Sequence, residues 1–315
     1  MTGGPSTRDS PVVVVVGAAC RDIADDDARG WRLGGGVSYG ALTAARLGIP
    51  TAALVGVDDE ASHAAELDLL REAGVMVQLV PLDHGPVFVN IERPDGRHQL
   101  SESRSDLVPA SAIPDAWRNA RGWILAPVAA ELAADWAAVP AESATVAVGW
   151  QGLLRELVPG SAVRHLQPSP NALIGRANLV GLSRDDVDPA TELVELCRLL
   201  HPGATLAVTQ GDHGGLVMEA GSEGPVHQRH YPPVPSQNPV DPTGAGDVFL
   251  AALAVARIEP GLVGGRIHAG YDLLLAAAAA SLVLEGPGLL GVPDRRAVMD
   301  RIAVARQQAA SSAIS

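Results

Sequence analysis

The chain of 315 residues contains no lysine, and all 23 of its basic residues are arginine. This absence excludes a Walker-A phosphate-binding loop, a Schiff base and a lysine nucleophile. Only two cysteines occur, Cys20 and Cys197, so neither a disulfide framework nor a cysteine-based zinc site is expected. The histidines are scattered without a His-x-x-x-His pair, and no Gly-x-Ser-x-Gly sequence supports a hydrolase triad.

Long apolar runs and excess positive charge are also missing. The stretch Leu273–Leu284 is shorter than the roughly 20 residues of a membrane span and predicts a buried helix. Val12–Val16 is too short for the core of a signal peptide. The net charge of −13 argues against nucleic acid or an anionic membrane as partner, since both require a basic face. Together with the cysteine usage, these features predict a cytoplasmic protein.

Short β-rich runs alternate with Ala/Leu-rich helical patterns along most of the chain, which predicts an α/β fold with a mostly parallel sheet. No low-complexity linker divides the chain, so we expect a single domain over residues 1–315. The predicted strands, which read as buried on both faces, are Val12–Val16, Thr51–Val55, Gly122–Leu125, Thr145–Val148, Leu179–Leu182 and Leu206–Thr209. The predicted helices are Ala41–Leu47, Ala61–Ala73, Ala130–Ala137, Asp188–Leu200, Val248–Ala256, Ile267–Glu285 and Asp294–Gln308.

One segment departs from this alternation. Val87–Arg93 leads into the turn signal Pro94-Asp95-Gly96, and Arg97–Leu100 returns, which predicts a β-hairpin. A further short strand is expected within Arg29–Leu33. Strands outside the main sheet, at about 22–34 and 84–104, form either a lid over a cleft or an ordinary surface hairpin.

The most informative stretch is Asp241-Pro242-Thr243-Gly244-Ala245-Gly246-Asp247, which precedes an apolar helix. Its glycines permit close approach to a ligand, and the helix start offers unpaired N–H groups and partial positive charge to an anion. Asp247 lies in the first turn, where a carboxylate can accept the proton of a hydroxyl that attacks phosphorus. The alternative is an ordinary capped helix after a tight turn.

This stretch resembles the C-terminal signature of the ribokinase-like (PfkB) family of sugar and nucleoside kinases, with Pro242 in place of the usual threonine. The resemblance implies a three-layer α/β/α domain with a small β lid that often mediates dimerisation. It also implies that Asp247 is the catalytic base and that the amides of Gly244, Ala245 and Gly246 form an anion hole.

The family's first signature is also matched. Gly34-Gly35-Gly36 precedes a helix that ends in Ala-Arg-Leu-Gly, and the resemblance implies that this loop contacts the acceptor. Tyr39 stands where the family usually has a substrate-adjacent asparagine, so the identity of the acceptor is open. Asp22 occupies the position of a carboxylate that binds two substrate hydroxyls, although Asp25–Asp27 show that this loop is acidic in any case.

The nucleotide half resembles the family at two loops. Thr209, Gly211 and Gly214 match a segment that flanks ATP, and the alternative is a plain strand-to-strand turn. Gly286 and Gly288 match a segment that borders the adenine and a monovalent cation such as K⁺; Asp241 is expected near that cation.

Ser183 and Asp186 stand where the family carries Asn-x-x-Glu, a motif that organises Mg²⁺ and its waters. A helix-capping box gives the same spacing, and the two interpretations are compatible.

We therefore expect an ATP- and Mg²⁺-dependent kinase acting on a small polyol, with a cyclitol or sugar favoured and an inositol-kinase-like branch suggested by Tyr39, Ser183, the lid hairpin and Gln151–Arg155. A nucleoside kinase is the alternative, because Tyr39 or Phe88 can stack on a base. A sugar phosphate is less attractive, since no arginine is obviously placed for a second phosphate. A non-catalytic sugar or nucleotide sensor is the alternative of another class, although it has no need of Asp247.

Overall fold

The computed structural model describes residues 10–93 and 96–312. Its strands, in chain order, are β1 (Val13–Ala18), β2 (Cys20–Ile23), β3 (Trp31–Gly34), β4 (Thr51–Val57), β5 (Met76–Pro81), β6 (Val87–Arg93), β7 (Gly96–Ser103), β8 (Gly122–Leu125), β9 (Thr145–Gly149), β10 (Arg155–Glu156), β11 (Ser161–Ala162), β12 (Arg164–His165), β13 (Leu179–Ser183), β14 (Thr205–Thr209), β15 (Gly215–Ala220) and β16 (Pro225–Tyr231). The α-helices are α1 (Gly36–Arg46), α2 (Asp59–Ser62), α3 (Glu66–Glu72), α4 (Ala172–Arg176), α5 (Leu193–Cys197), α6 (Ala245–Ile258), α7 (Tyr271–Val283) and α8 (Arg295–Ser312).

Nine strands form the main sheet in the order β16-β15-β14-β13-β9-β8-β1-β4-β5. The pairings from β14 through β5 are parallel, whereas β15 and β16 add antiparallel strands at one edge. The chain builds outward from β1 first to β4 and β5, and then returns to β8 on the other side. A topological switch therefore lies between β1 and β8, the position where open α/β sheets form a crevice.

The central strands are apolar because both faces of the sheet are covered. In β1, Val13 and Val15 pack into the cluster with α1, α6 and α7, while Val14 and Val16 pack into a second cluster on the opposite face. The second cluster contains three tryptophans that are at most 1% exposed, Trp123, Trp136 and Trp150. The result is a three-layer α/β/α arrangement, and the six predicted core strands are confirmed within two residues at each end.

A small five-stranded sheet, in the order β11-β7-β6-β2-β3, stands apart from the main sheet. It contains the predicted hairpin, as β6 pairs antiparallel with β7, and the predicted strand near Arg29–Leu33, which is β3. The turn residues Pro94 and Asp95 lie outside the described part of the chain. The contribution of β11 to this sheet was not predicted.

Four predicted helices are divided, shortened or absent in the structure. Ala61–Ala73 is divided into α2 and α3, and Ile267–Glu285 is shortened to α7, which follows a 3₁₀ turn at Ile267–Ala269. The other two were wrong or too long. Residues 130–137 contain no α-helix and only part of a 3₁₀ turn, Ala134–Ala138, because the buried Glu131 carboxylate binds backbone N–H groups and Ala130 has a φ of 56°. The helix predicted at Asp188–Leu200 is reduced to α5, since the Arg184 guanidinium holds the carbonyls of Asp188 and Pro189 in a loop. Among the described residues, the helices are all too short or too polar to span a bilayer.

Candidate active site

The predicted site residues converge on the carboxyl edge of the main sheet. Asp22 follows β1, Asp186 follows β13, and Thr209 ends β14; Arg155, which was not among the predicted site residues, follows β9. Parallel strands bring these ends together, and the switch between β1 and β8 leaves room for a ligand there. The first turn of α6 reaches the same place, which brings Asp247 beside the loop that opens α1.

Asp247 and the glycine loop are in direct contact. A Cβ built on Gly36 would lie 2.7 Å from Asp247 Oδ1 and 3.0 Å from Ala126 Cβ, so only glycine fits between the carboxylate and the chain after β8. Gly35, with a φ of 94°, caps α1, and a Cβ there would lie 2.7 Å from the Ala18 carbonyl oxygen. The run of glycines therefore lets backbone approach Asp247 where side chains would collide.

The electrostatics of Asp247 suit a proton acceptor. Burial raises the pKa of Asp247 from 3.8 to about 7; the positive charge of Arg155 opposes this rise, whereas Asp186 and Asp22 reinforce it. A base whose pKa lies near the working pH exists largely in its reactive form and still accepts a proton readily. Asp247 remains partly accessible to solvent at the mouth of the cleft.

Arg155 brings positive charge to the site. Its guanidinium lies 5.7 Å from the centre of the Phe88 ring. Burial lowers the pKa of Arg155, and the nearby charges of Asp186, Asp247 and Asp22 counteract that effect. The Gln151–Arg155 run could not be assigned to the site from the sequence. In a lysine-free chain, this arginine compensates the charge of three converging carboxylates.

The loop before α6 depends on Tyr39. Gly244 is left-handed with a φ of 80°, and a Cβ on it would overlap the Tyr39 ring. Tyr39 is only 1% exposed, and burial raises the pKa of its hydroxyl well above the usual range. The ring thus supports the loop from below and is covered by it; the substrate contact expected of Tyr39 stays a prediction.

The amides expected to bind an anion lie at the start of α6. Ala245 N–H makes a long 3.4 Å contact with the Pro242 carbonyl, and a Cβ on Gly246 would meet nothing within 4 Å. At Gly246 the N-terminal end of this 14-residue helix faces open space, and the amide of Ala245 beside it is weakly engaged. That arrangement can stabilise a negatively charged group.

Asp22 lies on β2, between β6 and β3 of the small sheet, and faces Gly34 so closely that a Cβ there would overlap its Oδ2. The Cys20 thiol donates to the same Oδ2 at 3.5 Å. Burial and the Asp22 charge raise the pKa of Cys20 well above its usual range, so this thiol stays neutral. Asn90 Nδ2 donates to Asp22 Oδ1 at 3.3 Å, and Gln99 Nε2 donates to Asn90 Oδ1 at 2.8 Å.

Three further residues near the site were not predicted from the sequence: Asn90, Gln99 and Glu131. The two amides come from neighbouring strands, β6 and β7, and meet only through the register that pairs Asn90 with Gln99. Glu131 is fully buried and accepts N–H groups of Ala18 at 2.8 Å and Ala129 at 2.8 Å, with Val128 at 3.1 Å. Burial raises the pKa of Glu131, and these backbone donors oppose the rise. The carboxylate thereby ties the end of β1 to the loop after β8, which forms a wall of the cleft.

Ser183 and Asp186 form the capping box that their spacing predicted. Asp186 Oδ2 accepts Ser183 N–H at 2.7 Å, and Ser183 Oγ accepts Asp185 N–H at 3.3 Å. Gln151 Nε2 donates to Asp186 Oδ1 at 2.7 Å, which connects this turn to the Arg155 segment. In the described part of the chain, no group of three or more His, Cys, Asp or Glu side chains is placed to hold a metal ion by itself. Since Mg²⁺ commonly keeps several waters and one or two carboxylates, Asp186 fits such an ion bound largely through water and donor phosphates.

Asp241 connects the α6 loop to the segment after α7. Its Oδ1 accepts Thr243 N–H at 2.9 Å, and its Oδ2 accepts Gly288 N–H at 3.0 Å. Arg32 Nη1, from β3 of the small sheet, lies 3.9 Å from Asp241 Oδ2. The monovalent cation expected beside Asp241 stays a prediction.

The glycines expected beside ATP differ in their surroundings. Gly211, with a φ of 56°, has nothing within 4 Å of a built Cβ, so its backbone is open to a ligand. Gly214 instead approaches the Tyr231 carbonyl, and Gly286 lies against Gly291, so both are required for tight chain packing. Thr209 Oγ1 makes a weak 3.5 Å contact with the Leu182 carbonyl. Their roles toward ATP stay predictions.

Much of the second half of the chain is similar in sequence to known proteins. Residues 163–294 match the family model described as pfkB family carbohydrate kinase. Over 124 residues, or 39% of this chain, the sequence is 35% identical to ribokinase of Arabidopsis thaliana. That match covers 30% of the relative, so the chain spans about a third of the length of the curated relative it matches.

Solved structures identify the fold over nearly the whole chain. A pyrophosphate-dependent kinase in the ribokinase family, complexed with a pyrophosphate analogue and myo-inositol, is similar over 91% of this chain and 99% of its own, with a TM-score of 0.69 and 20% identity. Arabidopsis thaliana ribokinase, complexed with ribose and ATP, is similar over 93% of this chain and 99% of its own, with a TM-score of 0.65 and 20% identity. The fold is therefore ribokinase-like.

Proposed function

We propose that this chain, which carries a PfkB-family domain on a ribokinase-like fold, transfers a phosphoryl group from a phosphate donor to a hydroxyl of a small, uncharged polyol. The observation that carries this proposal is the contact of Asp247 with the Gly36 backbone at the switch between β1 and β8, with Asp22 close by. Such a pair of carboxylates supplies one group to hold an acceptor and one to take its proton.

Asp247 acts as general base in this scheme. With a pKa of about 7, it accepts the proton of the acceptor hydroxyl as the oxygen attacks phosphorus. Arg155 limits the rise of that pKa and offsets the negative charge that gathers in the transition state. The amides of Gly244, Ala245 and Gly246, at the positive end of α6, stabilise the transferring group.

The donor that we propose is ATP with Mg²⁺, bound along the open Gly211 backbone and the α6 loop. When bound, Mg²⁺ neutralises donor phosphate charge, and Asp186 would hold it through an oxygen or a water. Pyrophosphate is the second candidate, because one structural neighbour is a pyrophosphate-dependent kinase. A monovalent cation near Asp241 is part of the same proposal.

The charges of the cleft favour an uncharged acceptor. Asp22, Asp186 and Asp247 outnumber the cation Arg155 that lies among them, so this group of side chains is net negative before a metal binds. An anionic sugar acid or sugar phosphate would be repelled, whereas a cyclitol or sugar presents hydroxyl donors to carboxylates. We therefore propose a cyclitol or sugar as acceptor.

The nucleoside alternative loses its structural support. Tyr39 is 1% exposed beneath Gly244, and Phe88 is 1% exposed with Arg155 over its ring, so neither aromatic face is open to a base. A sensor without activity remains the alternative of another class; the near-neutral pKa of Asp247 argues against it. A cytoplasmic location and a homodimer through the small sheet complete the proposal.

The test is phosphoryl transfer from ATP or pyrophosphate, with Mg²⁺ and with K⁺ or Na⁺, across cyclitols, pentoses, hexoses and nucleosides. We expect turnover with one uncharged polyol and one donor. Binding of donor without transfer to any acceptor would favour the sensor, and selective turnover of a nucleoside would refute the acceptor class.

A further inference from the structure

A cavity of about 280 Å³ lies at the amino edge of the main sheet, where β14 begins, α6 ends and α7 begins. Val217 of β15 packs in the cluster with α6 and α7, and alternate residues of a strand share a face, so Glu219 lies on the same side. The cavity opens to solvent, because Glu219, His227 and Arg229 are exposed. The polar and charged side chains that line it are Thr205, Glu219, His227, Arg229, Arg257 and Asp272.

This cavity is separate from the candidate active site. Thr205 begins β14, whereas Thr209 ends the same strand at the carboxyl edge of the sheet. Arg257 lies in the last turn of α6 and Asp247 in the first turn. At 1.5 Å per residue, the two positions are about 15 Å apart along the helix. A molecule in the cavity therefore lies too far from Asp247 to take part in phosphoryl transfer.

Four charged side chains meet around Arg257. Its Nε donates to Asp272 Oδ2 at 3.4 Å, and its Nη1 donates to Thr205 Oγ1 at 2.8 Å. Burial lowers the pKa of Arg257, and Asp272 counteracts this effect; the charge of Arg229 lowers the pKa further, and that of Glu219 raises it. These electrostatic effects place a second guanidinium and a second carboxylate close to the Arg257–Asp272 pair.

The cluster has unused hydrogen-bonding capacity. Asp272 is fully buried, and its Oδ1 accepts no hydrogen bond from any described residue. Leaving a buried carboxylate oxygen unpaired is costly, so a donor is expected there. Arg229 extends from β16 to the start of α7, where its Nη1 would lie 3.0 Å from a Cβ built on Gly270. It forms no hydrogen bond or ion pair within the described ranges.

The size and the charges of the cavity define the ligand. Its volume equals that of about nine water molecules at roughly 30 Å³ each, which is more than one bridging water needs. Two guanidinium groups attract a carboxylate, whereas two carboxylates attract an ammonium group. A simple anion would be repelled by Glu219 and Asp272, and a simple cation by the two arginines. A ligand with one charge of each sign complements all four side chains.

We propose that this cavity binds a small zwitterion of the amino-acid class, with its carboxylate between Arg229 and Arg257 and its ammonium group held by Glu219 and Asp272. Thr205 is a positioning residue, because its hydroxyl fixes the Arg257 guanidinium. The site is independent of the proposed function, and its ligand is neither donor nor acceptor of the phosphoryl group.

The experiment screens the common amino acids by thermal unfolding, without donor or acceptor, and measures the affinity of those that bind by calorimetry. Inorganic phosphate and methylamine are the probes that carry only one of the two charges. We expect at least one amino acid to stabilise the folded protein, since a ligand that binds only the folded state raises the Tm. Phosphate and methylamine should each bind at least about tenfold more weakly, because each leaves one pair of charged side chains unused.

Two variants test the assigned contacts. Arg229→Gln changes an exposed side chain and should fold like wild type, yet weaken binding by about tenfold or more, the usual effect of losing a hydrogen bond to a charged group. Asp272→Asn keeps the shape of a buried side chain and should weaken binding similarly. Arg296→Gln, whose side chain is 91% exposed on α8, is the matched control for the loss of one positive charge. Asp247→Asn, in the active site, should bind the amino acid as wild type does.

The inference is overturned if no amino acid binds with a Kd below about 1 mM. Phosphate that binds as tightly as the amino acid would replace the zwitterion with a simple anion. Binding that is unchanged in Arg229→Gln, or equally weakened in Arg296→Gln, would exclude this cavity. Binding that is lost in Asp247→Asn would place the ligand in the active site instead. None of these outcomes depends on whether the protein transfers a phosphoryl group, so the proposed function is tested separately.

Discussion

Replacing the proposed base should make the protein more stable while removing its activity. Because the pKa of Asp247 rises from 3.8 to about 7 on folding, its ionisation opposes the folded state. The stabilisation by the protonated form is complete below about pH 4 and is lost as the pH rises through about 7. An asparagine side chain does not ionise, so the Asp247→Asn variant avoids that loss.

The expected size follows from the same pKa. Each pKa unit corresponds to about 1.4 kcal/mol, so a rise to about 7 gives at most about 4 kcal/mol. Asp247 is partly exposed, and water screens part of this effect, so we expect about 2–4 kcal/mol. Relative to wild type, the gain should be largest at about pH 8.5 and less than half as large at about pH 5.

Urea unfolding of both proteins at these two pH values measures the difference directly. Asp25→Asn, at an exposed position of an acidic loop, controls for the loss of one negative charge. A stability difference between Asp247→Asn and wild type that is the same at both pH values, or that favours wild type at the higher pH, would refute the assigned electrostatics.

Three further predictions concern individual contacts. Gly244→Ala places a Cβ at a left-handed position against the Tyr39 ring and should lower the free energy of unfolding by about 1–3 kcal/mol. The control Gly246→Ala has open space around it and should unfold like wild type. Equal unfolding midpoints for the two variants would show that the Tyr39 contact is not tight. Glu131→Ala leaves buried N–H groups unpaired and should lower the free energy of unfolding by about 3 kcal/mol or more, and Glu131→Gln should lower it less. Chemical unfolding measures both variants. An Ala variant as stable as wild type would exclude the role of Glu131 in joining β1 to the loop after β8. Arg155→Gln removes the charge that lowers the pKa of Asp247, so the acid limb of the pH profile of kcat/KM should move to higher pH. An acid limb at the same pH as in wild type would show that Arg155 does not affect the pKa of the base.

The core of the fold could be predicted from the sequence because its strands are apolar without interruption. Val13–Val16 must be buried on both faces, and that requirement alone indicates a parallel sheet covered by helices. The helical prediction at residues 130–137 failed because alanine content favours a helix only when the backbone N–H groups are not claimed elsewhere. There a single carboxylate, Glu131, binds N–H groups from two separate segments, and no local pattern reveals such a partner.

The site could be predicted in part for a related reason. Asp247 and the glycines around it are encoded in contiguous stretches, so their chemistry is visible in the sequence. Asn90 and Gln99 become neighbours only through the register of β6 and β7, and Arg155 lies on β10, a two-residue strand that no sequence pattern indicated. For Tyr39, the position in the motif predicted contact with the substrate. In the structure its ring packs beneath Gly244.

The central claim is that Asp247 takes a proton during phosphoryl transfer. Its most direct test is the single-turnover rate of transfer to the identified acceptor by wild type and Asp247→Asn, with donor and acceptor binding measured alongside. The account predicts a rate lower by about a hundredfold to ten-thousandfold, with both binding constants nearly unchanged. A variant that turns over within about tenfold of wild type would contradict it.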